Sequence, residues 1–146
     1  MLVPGETKKT LLVVDDEEPL LEMVAECLDR AGFRVFRANS GPSALKLANE
    51  TNEEIHLLLS DVDMKGMSGP ELGQELKITR PDIRVMFMSG GHNGNLLVLN
   101  YGWAYLAKPF VVVRLIEMVN NVLYSPDRSQ PGGYQFDTRK DTGRKT

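Results

Sequence analysis

Short apolar runs alternate along the chain with stretches whose apolar residues recur every three or four positions. That alternation is the pattern of βαβ units built around a parallel sheet, and five strand–helix pairs can be counted. The first strand runs from about Thr10 to Val14. Its helix has Pro19 near the start, places Leu20, Met23, Val24, Cys27, Leu28 and Ala31 inward, and stops at Gly32. Phe33 to Arg37 forms the second strand, followed by a helix from Ser40 and Pro42 that turns Ala44, Leu45 and Ala48 inward. Ile55 to Ser60 is the third strand. Ser68, with Glu71 three residues on, makes a capping-box pattern for the third helix, which Pro81 ends. The fourth strand spans Ile83 to Met88, and a short helix around Asn95 to Tyr101 is weakened by Gly94 and Gly102. A very short fifth strand, Ala104 to Leu106, precedes a last helix from Val111 to Leu123 with Val112, Leu115, Ile116, Val119 and Leu123 on one face.

Beyond Ser125 the periodicity stops. Pro126, Pro131, Gly132 and Gly133 among scattered charges read as a disordered tail or linker over 125–146, and 1–8 as an N-terminal extension. The single domain expected is therefore 9–124, long enough to bury roughly 70% of its unfolded surface. Composition narrows the function classes. A net charge of −3 gives no electrostatic reason to expect nucleic acid or an anionic membrane. The lone Cys27, expected to be buried in the first helix, excludes an internal disulfide and a cysteine-rich zinc site. The first ten residues lack the apolar core of a signal peptide, and no apolar stretch approaches the ~20 residues of a membrane span. The expectation is a soluble, cytoplasmic protein without a membrane partner.

The chemistry collects where the strands end. Asp15 and Asp16 close the first apolar run and Asp61 the third; in a parallel sheet all three carboxylates reach the carboxyl edge, where open α/β sheets bind ligands. Such a cluster repels itself unless a cation joins it, and Mg²⁺ is the hard ion that fits oxygen ligands with room left for a phosphate. Ser89 and Lys108 end the next two strands on the same edge. A carboxylate can attack phosphorus to form an acyl phosphate if positive groups neutralise the phosphoryl oxygens. Asp61, at the end of the central strand and before the turn Val62-Asp63-Met64-Lys65-Gly66, is the candidate nucleophile. Asp15 and Asp16 would hold the metal, Ser89 and Lys108 would contact phosphoryl oxygens, and Gly90 and Gly91 would let backbone N–H groups approach them.

Leu12-Val13-Val14-Asp15-Asp16-Glu17, Ser60-Asp61-Val62-Asp63-Met64 with Gly66 and Gly69, Met88-Ser89-Gly90, and Tyr105-Leu106-Ala107-Lys108-Pro109-Phe110 occur in the order of a receiver domain of the two-component response-regulator family. From about Lys9 to Tyr124 the chain resembles that family, and in its Ser-Gly-Gly-His run it is most similar to receivers of hybrid sensor histidine kinases, while its short Ser89–Lys108 interval departs from the family pattern and bears on the length of the fourth helix. The resemblance implies a doubly wound, flavodoxin-like (βα)5 fold, with a five-stranded parallel sheet of order 2-1-3-4-5 and helices on both faces. It implies that Asp61 is the phosphoacceptor, loaded from the phosphohistidine of a sensor histidine kinase or a histidine phosphotransfer protein. Asp16, Asp61 and the backbone carbonyl of Asp63 are the implied Mg²⁺ ligands, with Asp15 acting through a metal-bound water. Ser89, Gly90 and Lys108 are the implied phosphate contacts, Ser89 and Tyr105 the switch, and Lys108–Pro109 a cis peptide. The face made by the fourth helix, fifth strand and fifth helix is the implied surface for a homodimer or a downstream protein. Lys65 departs from the family, standing where proline is common, so the turn after Asp61 is expected to be looser or to bring an extra positive charge.

Blander readings compete at each position. Asp15 and Asp16 suit a helix N-terminus, Lys108 an exposed loop, Ser89 a loop or cap, and Tyr105 serves equally as a half-buried core aromatic. Only the joint order of the residues favours the phosphoryl site. His56 and His92 are not paired at metal-ligand spacing, and Trp103, Met64, Met67, Met86 and Met88 read as packing residues. Two rival functions share the residues. One is a haloacid-dehalogenase-like phosphohydrolase using Asp61 as nucleophile, against which chain order argues because the acidic pair here comes first. The other is a degenerate receiver that serves only for docking or dimerisation. The leading reading is a switch that catalyses its own phosphorylation and dephosphorylation and acts on no metabolite.

Overall fold

A computed structural model of the chain describes residues 8–91 and 102–125. The apolar runs form one parallel sheet: β1 (Thr10–Val14), β2 (Arg34–Ala38), β3 (Leu57–Asp61), β4 (Arg84–Ser89) and β5 (Ala104–Ala107), in the order β2-β1-β3-β4-β5. Between them lie α1 (Glu18–Arg30), α2 (Gly41–Glu50) and α3 (Gly69–Thr79), and α4 (Val112–Tyr124) follows β5. The expected doubly wound sheet of order 2-1-3-4-5 is the fold observed. The helix expected around Asn95 to Tyr101, His92, most of the tail and residues 1–7 lie outside the described residues.

Side-chain alternation divides the strands between two cores. Leu11, Val13, Leu57, Leu59, Met86, Met88, Ala104 and Leu106 face α1 and α4. Leu12, Val14, Leu58, Val85 and Phe87 face the other side, where α2 and α3 contribute Ala44, Ala48, Leu72 and Leu76. Every residue of β1 and β3 is buried, as continuous apolar runs require when both sheet faces are covered. Each fully buried leucine stabilises this arrangement by roughly 1.5–3 kcal/mol. The edge strand β2 carries exposed Arg34 and Arg37, charges that discourage a further strand from pairing there.

Local chemistry sets the helix ends. Ser68 and Glu71 form the reciprocal capping box of α3, the Ser68 hydroxyl accepting the Glu71 N–H at 3.2 Å and the Glu71 carboxylate accepting the Ser68 N–H at 2.9 Å. The Ser40 hydroxyl caps α2, and Gly32 follows α1 at φ +105°, a conformation glycine adopts without penalty. Two faces differ from the sequence reading. In α1 the buried stripe is Leu21, Val24, Ala25 and Leu28, while Met23 is 41% exposed and Cys27 half-buried. The helix is thus turned by less than one residue, which sets small Ala25 toward the sheet. In α4, Met118 and Val122 join Leu115, Val119 and Leu123, whereas Val112, in the first turn, is 40% exposed. Strand pairing also moves β3 to Leu57–Asp61, since Asp61 pairs with Met88 and becomes the strand's last residue.

Candidate functional site

The parallel register sets the carboxylates side by side. Val14 pairs with Ser60, so Asp15, the next residue, lies beside Asp61 at the sheet's carboxyl edge. Asp15 is fully buried and Asp61 nearly so, while Asp16 is half-buried. One oxygen from each of the three lies within 4.8 Å of the others. Asp15 is fixed by its own turn, its Oδ1 accepting the Glu17 N–H at 2.9 Å. Its Oδ2 is buried and has no hydrogen-bond partner.

Lys108 enters from the end of β5. Its Nζ donates to Asp61 Oδ1 at 3.0 Å and lies 3.6 Å from Asp15 Oδ2. Its backbone N–H donates to the Ser89 carbonyl at 2.8 Å, which ties the ends of β4 and β5 together, and its bond to Pro109 is cis. Ser89 is buried, and its hydroxyl accepts the Gly91 N–H at 3.3 Å. A Cβ on Gly90 would meet only Lys108 side-chain carbons at 3.9 Å, and one on Gly91 would meet nothing. Among the described residues, then, no neighbour is close enough to exclude a side chain at either position.

Burial dominates the electrostatics. It pushes the Asp15 and Asp61 carboxyls above their ordinary range, and the Glu17 N–H at Asp15 and Lys108 at both only partly offset this. For Lys108, burial works to lower the pKa, but the hydrogen bond and charge of Asp61, with Asp15 behind it, hold the ammonium above its usual value. One lysine thus faces an excess of carboxylate. An all-oxygen donor set, the orphaned Asp15 Oδ2 and the narrow spacing together fit a hard divalent cation, whose opposite ligands stand about 4 Å apart.

The sequence-predicted residues divide accordingly. Asp15, Asp16, Asp61 and Lys108 converge, with Ser89 and Gly90 at the next strand end. Asp63 is exposed in the following loop, and its carboxylate is not one of the three gathered. Tyr105 is half-buried and packs against both cores. His56 is structural: its Nδ1 accepts the Thr10 N–H at 2.9 Å. Trp103, Met86 and Met88 are core residues, Trp103 lying 5.5 Å from Phe87 between ring centroids.

Two contacts at the site escaped the sequence reading. The Lys65 N–H donates to Asp16 Oδ2 at 3.1 Å, linking the loop after β3 to the loop after β1. Gly69 packs so closely on the last residue of β3 that a Cβ would overlap the Asp61 carbonyl oxygen and lie 2.9 Å from the Phe87 ring. The absence of proline at 65 is the sequence signal for the first, since only a non-proline residue has the N–H.

Residues 11–120 match the family model of the response regulator receiver domain. The chain belongs to the response regulator receiver family. It is 34% identical over 121 residues to the sensor kinase CckA of Brucella abortus, an alignment covering 81% of this chain but 13% of that kinase. It is 32% identical over 82 residues to the response regulator receiver protein CpdR of the same organism, covering 56% of this chain and 67% of that one. Among solved structures, the receiver domain of the hybrid histidine kinase CckA superposes with a TM-score of 0.67 at 33% identity, covering 78% of this chain and 98% of that one. A receiver domain from Clostridium thermocellum superposes with a TM-score of 0.72 at 27% identity, covering 79% and 94%. The chain thus spans a small part of the sensor kinase it matches and nearly the whole of isolated receivers. It is a receiver domain of two-component signalling, a class of phosphorylation-regulated switches rather than metabolic enzymes. Among the described residues no helix is long and apolar enough to cross a membrane.

Proposed function

We propose that this receiver domain accepts a phosphoryl group on Asp61 from the phosphohistidine of a sensor histidine kinase or a histidine phosphotransfer protein, in a Mg²⁺-dependent reaction in the cytoplasm. The observation that carries the proposal is the pairing of Asp61 Oδ1 with Lys108 Nζ at 3.0 Å, within the cluster that Asp15 and Asp16 complete. An Asp61 oxygen attacks phosphorus, a P–O bond forms as the P–N bond to imidazole breaks, and the histidine ring leaves with the electron pair. Asp16, Asp61 and the Asp63 carbonyl would hold Mg²⁺, with Asp15 assisting, and the ion would supply charge neutralisation for the phosphoryl oxygens and the carboxylates. Lys108 exchanges its carboxylate contact for one with a phosphoryl oxygen. In this reading the Ser89 hydroxyl and the Gly90 N–H donate to the remaining oxygens, and movement of Ser89 frees space for Tyr105 to turn inward.

Leu20, Met23, Pro109 and Phe110 line an apolar groove of about 350 Å³ that Lys108 also borders, so a partner seated there lies beside the acceptor. The segment carrying the implied fourth helix lies outside the described residues, and the output face is proposed on the family resemblance alone. The test is incubation with acetyl phosphate and Mg²⁺, borohydride trapping of the acyl phosphate and peptide mapping. Label at Asp61 that is lost in Asp61→Asn is expected; base-labile label of equal stoichiometry in that variant overturns the assignment.

A further inference from the structure

The loop between β3 and α3 is held at several points. Val62 N–H donates to the Met88 carbonyl at 3.1 Å, and Gly69 N–H donates back to the Val62 carbonyl at 2.9 Å, closing the loop at its base. Met64 is buried, and Met67 packs into the space left by Gly41 at the start of α2. Lys65 lies between these two anchors and precedes Gly66, whose φ of +77° turns the chain where a side chain would be strained. Its amide is therefore a donor of fixed position rather than a mobile loop group. It donates to Asp16 Oδ2 across 3.1 Å.

Asp16 needs such a partner. It is the most solvent-accessible of the three clustered carboxylates, and like-charge repulsion from Asp15 and Asp61 favours rotation of its side chain outward. Asp15 is locked by the Glu17 N–H and Asp61 by Lys108. From this geometry we infer that the backbone N–H of Lys65 is a positioning group for cation binding, holding the Asp16 carboxylate in the cluster so that the three oxygens are pre-assembled. The inference rests on the reading of Asp15, Asp16 and Asp61 as the Mg²⁺ site. An accepting carboxylate oxygen keeps a second lone pair, and Asp16 keeps its other oxygen, so the hydrogen bond and a metal bond can coexist. The Lys65 side chain is exposed and positively charged, and that charge works against a cation where the amide works for it. Backbone and side chain of one residue thus act in opposite directions.

Calorimetric Mg²⁺ titration of the parent, Lys65→Ala and Lys65→Pro proteins separates the two. Lys65→Ala keeps the N–H and removes the charge, and is expected to bind Mg²⁺ at least as tightly as the parent. Lys65→Pro also removes the N–H and is expected to bind about three- to tenfold more weakly than Lys65→Ala, the range for one hydrogen bond to a half-exposed charge. Equal or tighter binding by Lys65→Pro overturns the inference while leaving the metal site standing, whereas a parent that binds no Mg²⁺ overturns the metal site itself. Should Lys65→Pro fail to fold by circular dichroism, amide exchange decides. The Lys65 N–H is expected to be protected in the metal-free parent and to exchange several-fold faster in Asp16→Ala, and an unprotected Lys65 amide in the parent overturns the inference.

Discussion

Asp15→Asn should stabilise the protein in the absence of divalent cations and destabilise it, relative to the parent, in their presence. Asp15 has no exposed surface, and its Oδ2 lacks any hydrogen-bond donor. Leaving a buried acceptor unsatisfied costs roughly 1–3 kcal/mol, more when it is charged. Asparagine keeps the oxygen that accepts the Glu17 N–H and turns the orphaned oxygen into an amide that can donate to Asp16 or Asp61. Part of the gain is lost with the attraction to Lys108 Nζ at 3.6 Å, which leaves a net of about 1 kcal/mol. For a domain of this length that corresponds to a rise in Tm of roughly 3–5 °C. Magnesium reverses the order, because a ligand that binds only the folded state at a hundred times its Kd stabilises by ~2.7 kcal/mol. Thermal melts by circular dichroism, in chelator and in saturating Mg²⁺, read both signs. A variant that melts below the parent in chelator, or that gains as much from Mg²⁺ as the parent does, refutes the argument that Asp15 is a strained carboxylate awaiting a cation.

The same electrostatics give metal-free stability a pH dependence. The folded-state pKa values of Asp15 and Asp61 are raised above 3.8, so the folded chain holds protons that the unfolded chain releases, and their contribution is lost as pH rises from 3.8 through the folded values. Urea midpoints in chelator should therefore fall across that window more in the parent than in Asp15→Asn; parallel profiles would contradict it. Gly69→Ala should cost about 2–3 kcal/mol in denaturant unfolding through overlap with the Asp61 carbonyl oxygen and the Phe87 ring, and an unchanged midpoint would show that the start of α3 gives way freely against β3 and β4. Lys108→Ala should retain Mg²⁺ binding by calorimetry but lose the amide shifts that phosphorylation sends toward Tyr105, and shifts equal to the parent's would remove the lysine from the phosphate.

Much of this was legible in the residues because parallel strands write their ends plainly. Leu11 to Val14 and Leu57 to Leu59 are apolar without a break, so Asp15, Asp16 and Asp61 stood out as the first charges at the strand ends, and the register brought them together. The Ser68/Glu71 capping box was readable for the same reason, both partners being local. Helix faces were less legible. Met23 and Cys27 score as apolar, but Leu21 and Ala25 pack better on the sheet, and tertiary fit chose between two stripes that periodicity could not separate. The least legible contacts were those of the backbone. A residue letter at 65 announces a charge, not that its N–H will meet Asp16 across the site, and Gly69 is needed for a close approach that only the folded chain creates.

The central claim, a Mg²⁺-dependent phosphoacceptor at Asp61, is tested most directly by titrating the protein with beryllofluoride, an aspartyl-phosphate mimic, while following amide shifts with and without Mg²⁺. The account predicts saturable, Mg²⁺-dependent binding in the parent, lost in Asp61→Asn, with shifts at Asp61, Ser89 and Lys108 that reach Tyr105 and α4. A folded parent that binds no beryllofluoride, or an Asp61→Asn variant that binds it equally, would contradict it.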